Sequence, residues 1–292
     1  MYADPMLLRR QYANDKNLRV RQNIHAHYSV PAVHFPQWVL SRLVWRGDER
    51  ILDIGCGDGS YYPVIRDQLP DARYIGVDIE PGMLENHEGR RAAHGMCIGA
   101  GDALRLPFSD SSFDVVMMNH MLYHIADIAS VLDEARRVLK SDGVLIASTN
   151  SAESLHELNA RYRRAITLLS SPGKIQSGSL AVPRSSFTLE NGAVLLGRHF
   201  YAVVRHDLPG ALVFRDVEPV MDYLSTWRSM RESSLPPNVR WDDVMMVMRE
   251  QFSRVIAHFG ELIINKLAGV LIASDRGGFI NEYVRYLEHD IS

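Results

Sequence analysis

Between residues 47 and 150, short apolar runs alternate with stretches in which apolar side chains recur every three or four positions. Ile51–Ile54, Arg73–Asp78, Met96–Ile98, Phe113–Asn119 and Val144–Ser148 read as strands. Ser60–Leu69, a segment opened by Pro81, and the stripe Ile128, Val131, Leu132, Ala135, Val138, Leu139 read as helices. Phe113–Asn119 is mainly apolar between polar neighbours, as in a parallel strand covered on both faces. Strands alternating with helices predict an α/β fold with right-handed crossovers.

The pattern loosens on either side. Leu18, Arg21, Ile24, His25 and Tyr28 recur at helical spacing until Pro31 and Pro36 interrupt it, and Gln37–Val44 reads as a second helix. After Asn150 the chain predicts a charged helix from Ala152 to Leu169, a Ser/Gly/Pro loop over Ser170–Ser179, and a helix from Thr188 to Arg198 capped by Ser186. Tyr201–His206 and Leu212–Arg215 look like strands. Trp241, Val244, Met245, Met248, Phe252, Val255, Ile256 and Phe259 form a long helix stripe, and Glu261–Asn265 and Gly269–Ser274 supply closing strands.

The candidate chemistry sits at the end of the first core strand. Glu49–Gly59 runs apolar up to Asp53 and then places Gly55, Gly57 and Gly59 at alternate positions before a helix. Strand, glycine turn and helix present a nucleotide site in an open α/β sheet, and a side chain at Gly55 or Gly57 is expected to occupy ligand space. A dinucleotide fingerprint would put its third glycine at Ser60. Asp53, just before the turn, would repel a pyrophosphate and suits a ligand carrying an ammonium group.

Composition narrows the classes. Of 292 residues 46% are hydrophobic and 23% charged, enough for a full core, and the net charge of -3 carries no footprint for nucleic acid. Two cysteines are too few for a disulfide framework or a zinc knuckle, and Cys56 reads as a small filler within the turn. No His/Asp/Cys cluster has metal-ligand spacing, so no metal is expected. No targeting segment or long apolar span is recognised, which makes a cytoplasmic location the expectation.

At Leu52–Gly59 the chain resembles the class I S-adenosylmethionine-dependent methyltransferases. Leu106-Pro107-Phe108, Phe113-Asp114-Val115-Val116, Asn119–His124 and Glu134–Lys140 extend the likeness to the branch that includes ubiquinone-type C-methyltransferases, over roughly residues 47–150. Ser141-Asp142-Gly143 stands where that branch has Pro-Gly-Gly. The resemblance implies a doubly wound, Rossmann-like seven-stranded sheet of order 3-2-1-4-5-7-6 with a helical cap. It divides the chain into an N-terminal cap (1–46), a cofactor-binding core (47–150), a helical lid (151–198), and a segment completing the sheet (199–292).

It also implies roles for particular residues. Asp53 with Gly55, Cys56 and Gly57 would hold the methionine end, Asp78 the ribose hydroxyls, Ile79 and Met83 the adenine faces, and Asp102 with Ala103 the adenine edge. Asn119 would lie beside the sulfonium, and Tyr12 or Tyr28 of the cap would lie near the methionine moiety. His120 and His124 are the candidate bases, with a structural hydrogen-bonding role the competing reading of His124. The implied reaction is methyl transfer to an O, N or C atom of a small molecule, leaving S-adenosylhomocysteine. An RNA methyltransferase and a catalytically silent regulatory protein are the alternatives. Oligomeric state is left open.

The cofactor reading has a direct test. S-Adenosylhomocysteine should raise the melting temperature by mass action, whereas NAD at the same concentration should leave it unchanged.

Overall fold

The computed structural model describes residues 16–85, 97–170 and 186–275. In chain order the elements are α1 (Lys16–Tyr28), β1 (Ser29–Val30), α2 (Phe35–Leu40), β2 (Arg50–Ile54), α3 (Tyr62–Gln68), β3 (Arg73–Asp78), α4 (Pro81–Glu85) and β4 (Cys97–Ala100). They continue with β5 (Phe113–Asn119), a 3-10 turn at Leu122–His124, α5 (Ile128–Val138), β6 (Leu139–Asn150), α6 (His156–Leu169) and α7 (Leu189–Leu196). The rest are β7 (Ala202–Phe214), α8 (Glu218–Ser225), α9 (Arg228–Arg231), a 3-10 turn at Glu232–Ser234, α10 (Trp241–Phe259) and β8 (Leu262–Ser274).

All strands join one sheet of order β1-β7-β8-β6-β5-β2-β3-β4. Strands β2 to β6 pair in parallel, and β8 and β7 complete the sheet antiparallel to their neighbours. Without β1 this is the expected seven-strand order. The eighth strand is two residues of β1 against Leu212 and Ala211, too short to leave a periodic signal.

Alternation sorts the core side chains onto two faces. Leu52, Val116, Met118, Leu145, Ala147 and Leu271 pack beneath α5 and α7. Ile51, Val115, Met117, Ile146, Val270 and Ile272 pack beneath α2 and α3. Every residue of β5 is buried, as the apolar run requires.

Several boundaries differ from the sequence reading. The two strands expected over 201–215 are one strand, as are the two expected over 261–274. Thirteen consecutive pairs, from Ala202↔Ser274 to Phe214↔Leu262, carry the ladder through residues that lack alternation. Pro209 is tolerated because β7 lies near the sheet edge, with only β1 outside it. Helix α7 is capped by Thr188, whose amide donates to Asn191 Oδ1 at 2.8 Å, and not by Ser186. Helices α8 and α9 had no counterpart in the sequence reading. The loop Ser170–Ser179 falls almost wholly outside the described residues.

The far ends of β7 and β8 leave the core. Leu212, Phe214, Leu262 and Ile264 join a separate apolar cluster with Ile24 of α1, Tyr162 and Ile166 of α6, Leu224 of α8, and Trp241, Met248 and Phe252 of α10. These helices form a cap around the strand ends. Helix α7 packs on the sheet beside α5, with Phe187, Leu189 and Leu196 in the same cluster as Val131 and Leu132.

Two motif segments turn out to be clamps. Asp114, at the amino end of β5, accepts from Lys140 Nζ (2.8 Å), Arg46 Nη2 (2.9 Å) and the Arg50 amide (2.9 Å). Burial pushes its carboxyl up, but these donors outweigh that and bring it down to about 2. Arg137 binds Glu134, Asp110 and the carbonyls of Leu106 and Phe108, fixing the Leu-Pro-Phe segment to α5.

Asp114→Ala should lower stability at pH 7 by about 2–3 kcal/mol, from loss of charge-assisted bonds. The depressed carboxyl contributes fully above an unfolded value near 4, and that contribution fades as pH falls towards 2. Urea denaturation should therefore show wild type and variant converging in acid.

Candidate active site

The glycine turn is built from β2, β3 and the loop leaving β5. Gly55, Gly57 and Gly59 adopt φ of +69°, +54° and +70°, a left-handed path that glycine takes without strain. The amides of Gly55 and Cys56 both donate to Val77 O, at 2.8 and 3.1 Å. The Gly57 amide donates to Asp78 Oδ2 at 2.8 Å. A Cβ at Gly55 would stand 2.8 Å from Met121 Cβ, so Met121 by itself already excludes a side chain there. A Cβ at Gly57 would lie 3.5 Å from Met83 Cε, so the Met83 side chain reaches the turn.

Polar residues line the carboxyl ends of the strands. Asp53 is 1% exposed and accepts from Tyr74 Oη at 2.7 Å, while its Oδ1 has no partner. Burial, reinforced by Asp78 and Asp58 and opposed by the Tyr74 bond, raises its carboxyl to about 7. Asn119, one strand over, is buried with both amide atoms unpartnered, and its β6 neighbour is Ser148. Asp78 also accepts from the Glu80 amide (2.9 Å), and Asp102 accepts from the Leu104 amide (3.0 Å). Met83 and Ala103 are buried and Ile79 half-buried. Cys56 turns away: its Sγ lies 2.9 Å from the position of a Cβ on Gly76, behind the turn, and burial pushes the thiol up.

Helix α1 covers this end of the sheet. Leu18 Cδ2 approaches the Gly57 position at 4.0 Å, and Gln22 Nε2 donates to Asp58 Oδ2 at 2.9 Å. Tyr28 is not brought to the turn. Its ring stacks on Phe214 at 5.0 Å, at the cap end of β7, and Tyr12 lies outside the described residues. Arg21 donates to the side chain and carbonyl of Thr226 in the cap.

His120 follows Asn119, and His25 and His124 lie within its electrostatic reach. Burial is the main cause holding His120 and His124 down to about 4 and His25 to about 3, and His120 acts electrostatically on both of the others. All three are neutral at neutral pH. His120 has φ +53°, a conformation of order 1 kcal/mol or more above the usual regions, and its ring lies 5.2 Å from that of Phe35.

Residues 52–147 match the methyltransferase domain family. The chain is 34% identical over 137 residues to a malonyl-[acyl-carrier protein] O-methyltransferase of Dechloromonas aromatica, covering 45% of this chain and 50% of that protein. It is 28% identical over 165 residues to a demethylmenaquinone methyltransferase of Geobacillus stearothermophilus, covering 52% and 70%. A solved candidate methyltransferase of Bacillus halodurans C-125 superposes with a TM-score of 0.54 at 16% identity, over 82% of this chain and 97% of that one, a likeness of fold. The chain carries a class I S-adenosylmethionine-dependent methyltransferase domain. The match thus spans about half the length of the first of these curated relatives.

The residues of the methyltransferase domain fit its cofactor. Asp53 Oδ1, buried and orphaned, is an acceptor awaiting a donor such as an ammonium group. Asp78 is held at the carboxyl end of β3 by the Gly57 and Glu80 amides it accepts from. Sequence reasoning missed Tyr74, Leu18, Gln22 and Ser148. Nothing in spacing marks Tyr74 as the Asp53 partner: it pairs with Ile51 and reaches Asp53 diagonally, two residues before Gly76, the register partner of Asp53.

An open cleft of about 550 Å³, lined by Arg136, Arg198, Tyr201 and Asp275 among others, lies at the amino ends of the parallel strands, away from this site. Among the described residues no group of three or more His, Cys, Asp or Glu could hold a metal ion, and no helix is long and apolar enough to cross a membrane.

Between pH 4 and 7 the unfolded Asp53 carboxyl is ionised while the folded, ligand-free one keeps its proton, so stability falls as pH rises through that window. Asp53→Asn should melt higher than wild type at pH 8 without ligand, yet bind S-adenosylhomocysteine about tenfold more weakly or worse, about 1.4 kcal/mol. Wild-type affinity should fall from pH 8 to pH 6, and the variant's should stay flat. Scanning and titration calorimetry check both.

Proposed function

We propose that the chain methylates an oxygen, nitrogen or carbon atom of a small molecule held in the seam between the sheet and the cap helices. The observation that carries this reading is the meeting of the cofactor face and the cap along α1. Leu18 and Gln22 lie at the glycine turn, and His25, two turns further on, lies within electrostatic reach of His120, which follows Asn119.

S-Adenosylmethionine, when bound, supplies a methyl group already activated by its sulfonium. In this reading Asp53 accepts from the methionine ammonium, Asp78 from the ribose hydroxyls and Asp102 from the adenine amine, with Ile79 and Met83 against the ring. Residues 47–150 serve the cofactor, and α1 with the cap helices α6, α8 and α10 covers the acceptor and keeps water away. An oxygen or carbon acceptor that still carries its proton needs a base. His120, held neutral by burial and aimed by its unusual backbone, takes that proton, and His124 supports it.

The test is release of S-adenosylhomocysteine from S-adenosylmethionine over a panel of phenols, amines and carboxylic acids. With an accepting phenol, His120→Ala should lower kcat by roughly 10²–10⁴-fold, while S-adenosylhomocysteine affinity stays within about threefold. Tight cofactor binding without turnover on any compound would leave a silent binding protein.

A further inference from the structure

The even-numbered face of β8 crosses from cap to core. Leu262 and Ile264 belong to the cap cluster, Val270 and Ile272 to the core, and Lys266 stands at the junction. Its ammonium is half-buried and meets two neutral groups, Ser29 Oγ at 2.5 Å and His25 Nδ1 at 3.4 Å. Ser29 in turn donates to His25 O, and acceptance by His25 Nδ1 leaves the ring proton on Nε2. Among the described residues Lys266 forms no ion pair.

The surroundings add positive charge. His25 feels Lys266, His120 and Arg21, and His124 feels Arg21 and His120. Among the described residues no carboxylate is among the groups acting on Lys266, His25 or His120. Deeper in the cap, Arg231 is sandwiched by Trp227 (3.7 Å) and Tyr162 (4.9 Å), hydrogen-bonds to neutral Asn159, and leaves Nη1 buried without a partner. Both Arg21 and Arg231 act on Tyr223, whose ring meets the edge of His25 at 5.9 Å. Among the described residues the charged groups acting around Lys266 and His25 are thus basic, in a chain with 35 acidic and 32 basic residues, while Glu157, an acid at this level of β8, is bonded to Asn265. An uncompensated buried charge is costly and is retained where something pairs with it.

We propose that the methyl acceptor is an anion whose carboxylate or phosphate group seats against Lys266 beside His25, making Lys266 a specificity-determining residue. The acceptor's identity as such rests on the methyltransferase reading above. The anion site itself does not. From Leu18 at the glycine turn to His25 is seven helical residues, about 10 Å, so an acceptor anchored at Lys266 extends back along α1 towards the cofactor.

The experiment uses the full chain with and without S-adenosylhomocysteine, at constant ionic strength. The probes are acetate, succinate, benzoate, inorganic phosphate and phenyl phosphate, with acetamide, succinamide, methyl benzoate and phenol as neutral twins. At least one anion should raise the melting temperature by several degrees where its neutral counterpart does not. A response confined to carboxylates or to phosphates assigns the group.

Lys266→Met should abolish the shift and, having lost an uncompensated charge, melt at or above wild type without ligand. Lys266→Arg should keep the shift. Equal shifts from neutral twins, no shift from any anion, or a shift that survives in Lys266→Met would overturn the proposal. So would a Lys266→Met protein that melts several degrees lower, since Lys266 would then be a structural tie to Ser29 and His25. Failure of S-adenosylhomocysteine to bind wild type would instead defeat the methyltransferase reading, with the anion arms still interpretable alone.

Discussion

One carbonyl and one carboxylate hold the site together. Val77 O takes two amides of the turn, and the next residue, Asp78, takes a third from Gly57. The end of β3 therefore dictates the path by which β2 passes into α3. Gly55 then lies so close to Met121 that the exit of β5 is packed against the same turn. The orphaned oxygen of Asp53, the unpartnered amide of Asn119 and the backbone bend at His120 all lie within this packed unit, which lets a short peptide turn aim groups contributed by three strands.

The core was legible in the sequence because each of its strands is a short apolar run with a clear end, and because the acids fall at those ends. Phe113–Asn119 is the plainest case, identical in pattern and in structure. The motif residues Asp114, Lys140, Glu134 and Arg137 were equally legible, but their work is to clamp strand, loop and helix at the opposite end of β5 from the glycine turn. The cap was much less legible. Tyr28 and Gln22 share a helix, and only the docking angle of α1, set by contacts with α8 and β7, decides which of them meets the turn. Lys266 was invisible for a related reason. It falls in the interval between two expected strands, and its importance comes from which neighbours it lacks.

The seam between cap and core shows two electrostatic regimes a few residues apart. At the glycine turn burial, reinforced by Asp78 and Asp58 close by, makes Asp53 hold its proton. Along α1 the field reverses, and burial, reinforced by the neighbouring basic groups, makes the histidines give theirs up. A cationic cofactor end and an anionic partner would each relieve one side, so occupation of the two sites is favourable for the fold as well as for the chemistry.

The continuous pairing of β7 with β8 has a consequence for anyone dissecting the chain. The stretch that matches the family ends at residue 147, within β6, whose outer edge is covered by β8 from Val144 to Asn150. Cut there, the fragment would keep every candidate cofactor residue and yet present β6, apolar on both faces, as a bare edge with unsatisfied amides and carbonyls. Such an edge recruits other chains. The part of the protein most easily recognised is therefore the part least able to stay monomeric alone, and β8, more than a hundred residues downstream, acts as its solubility guard.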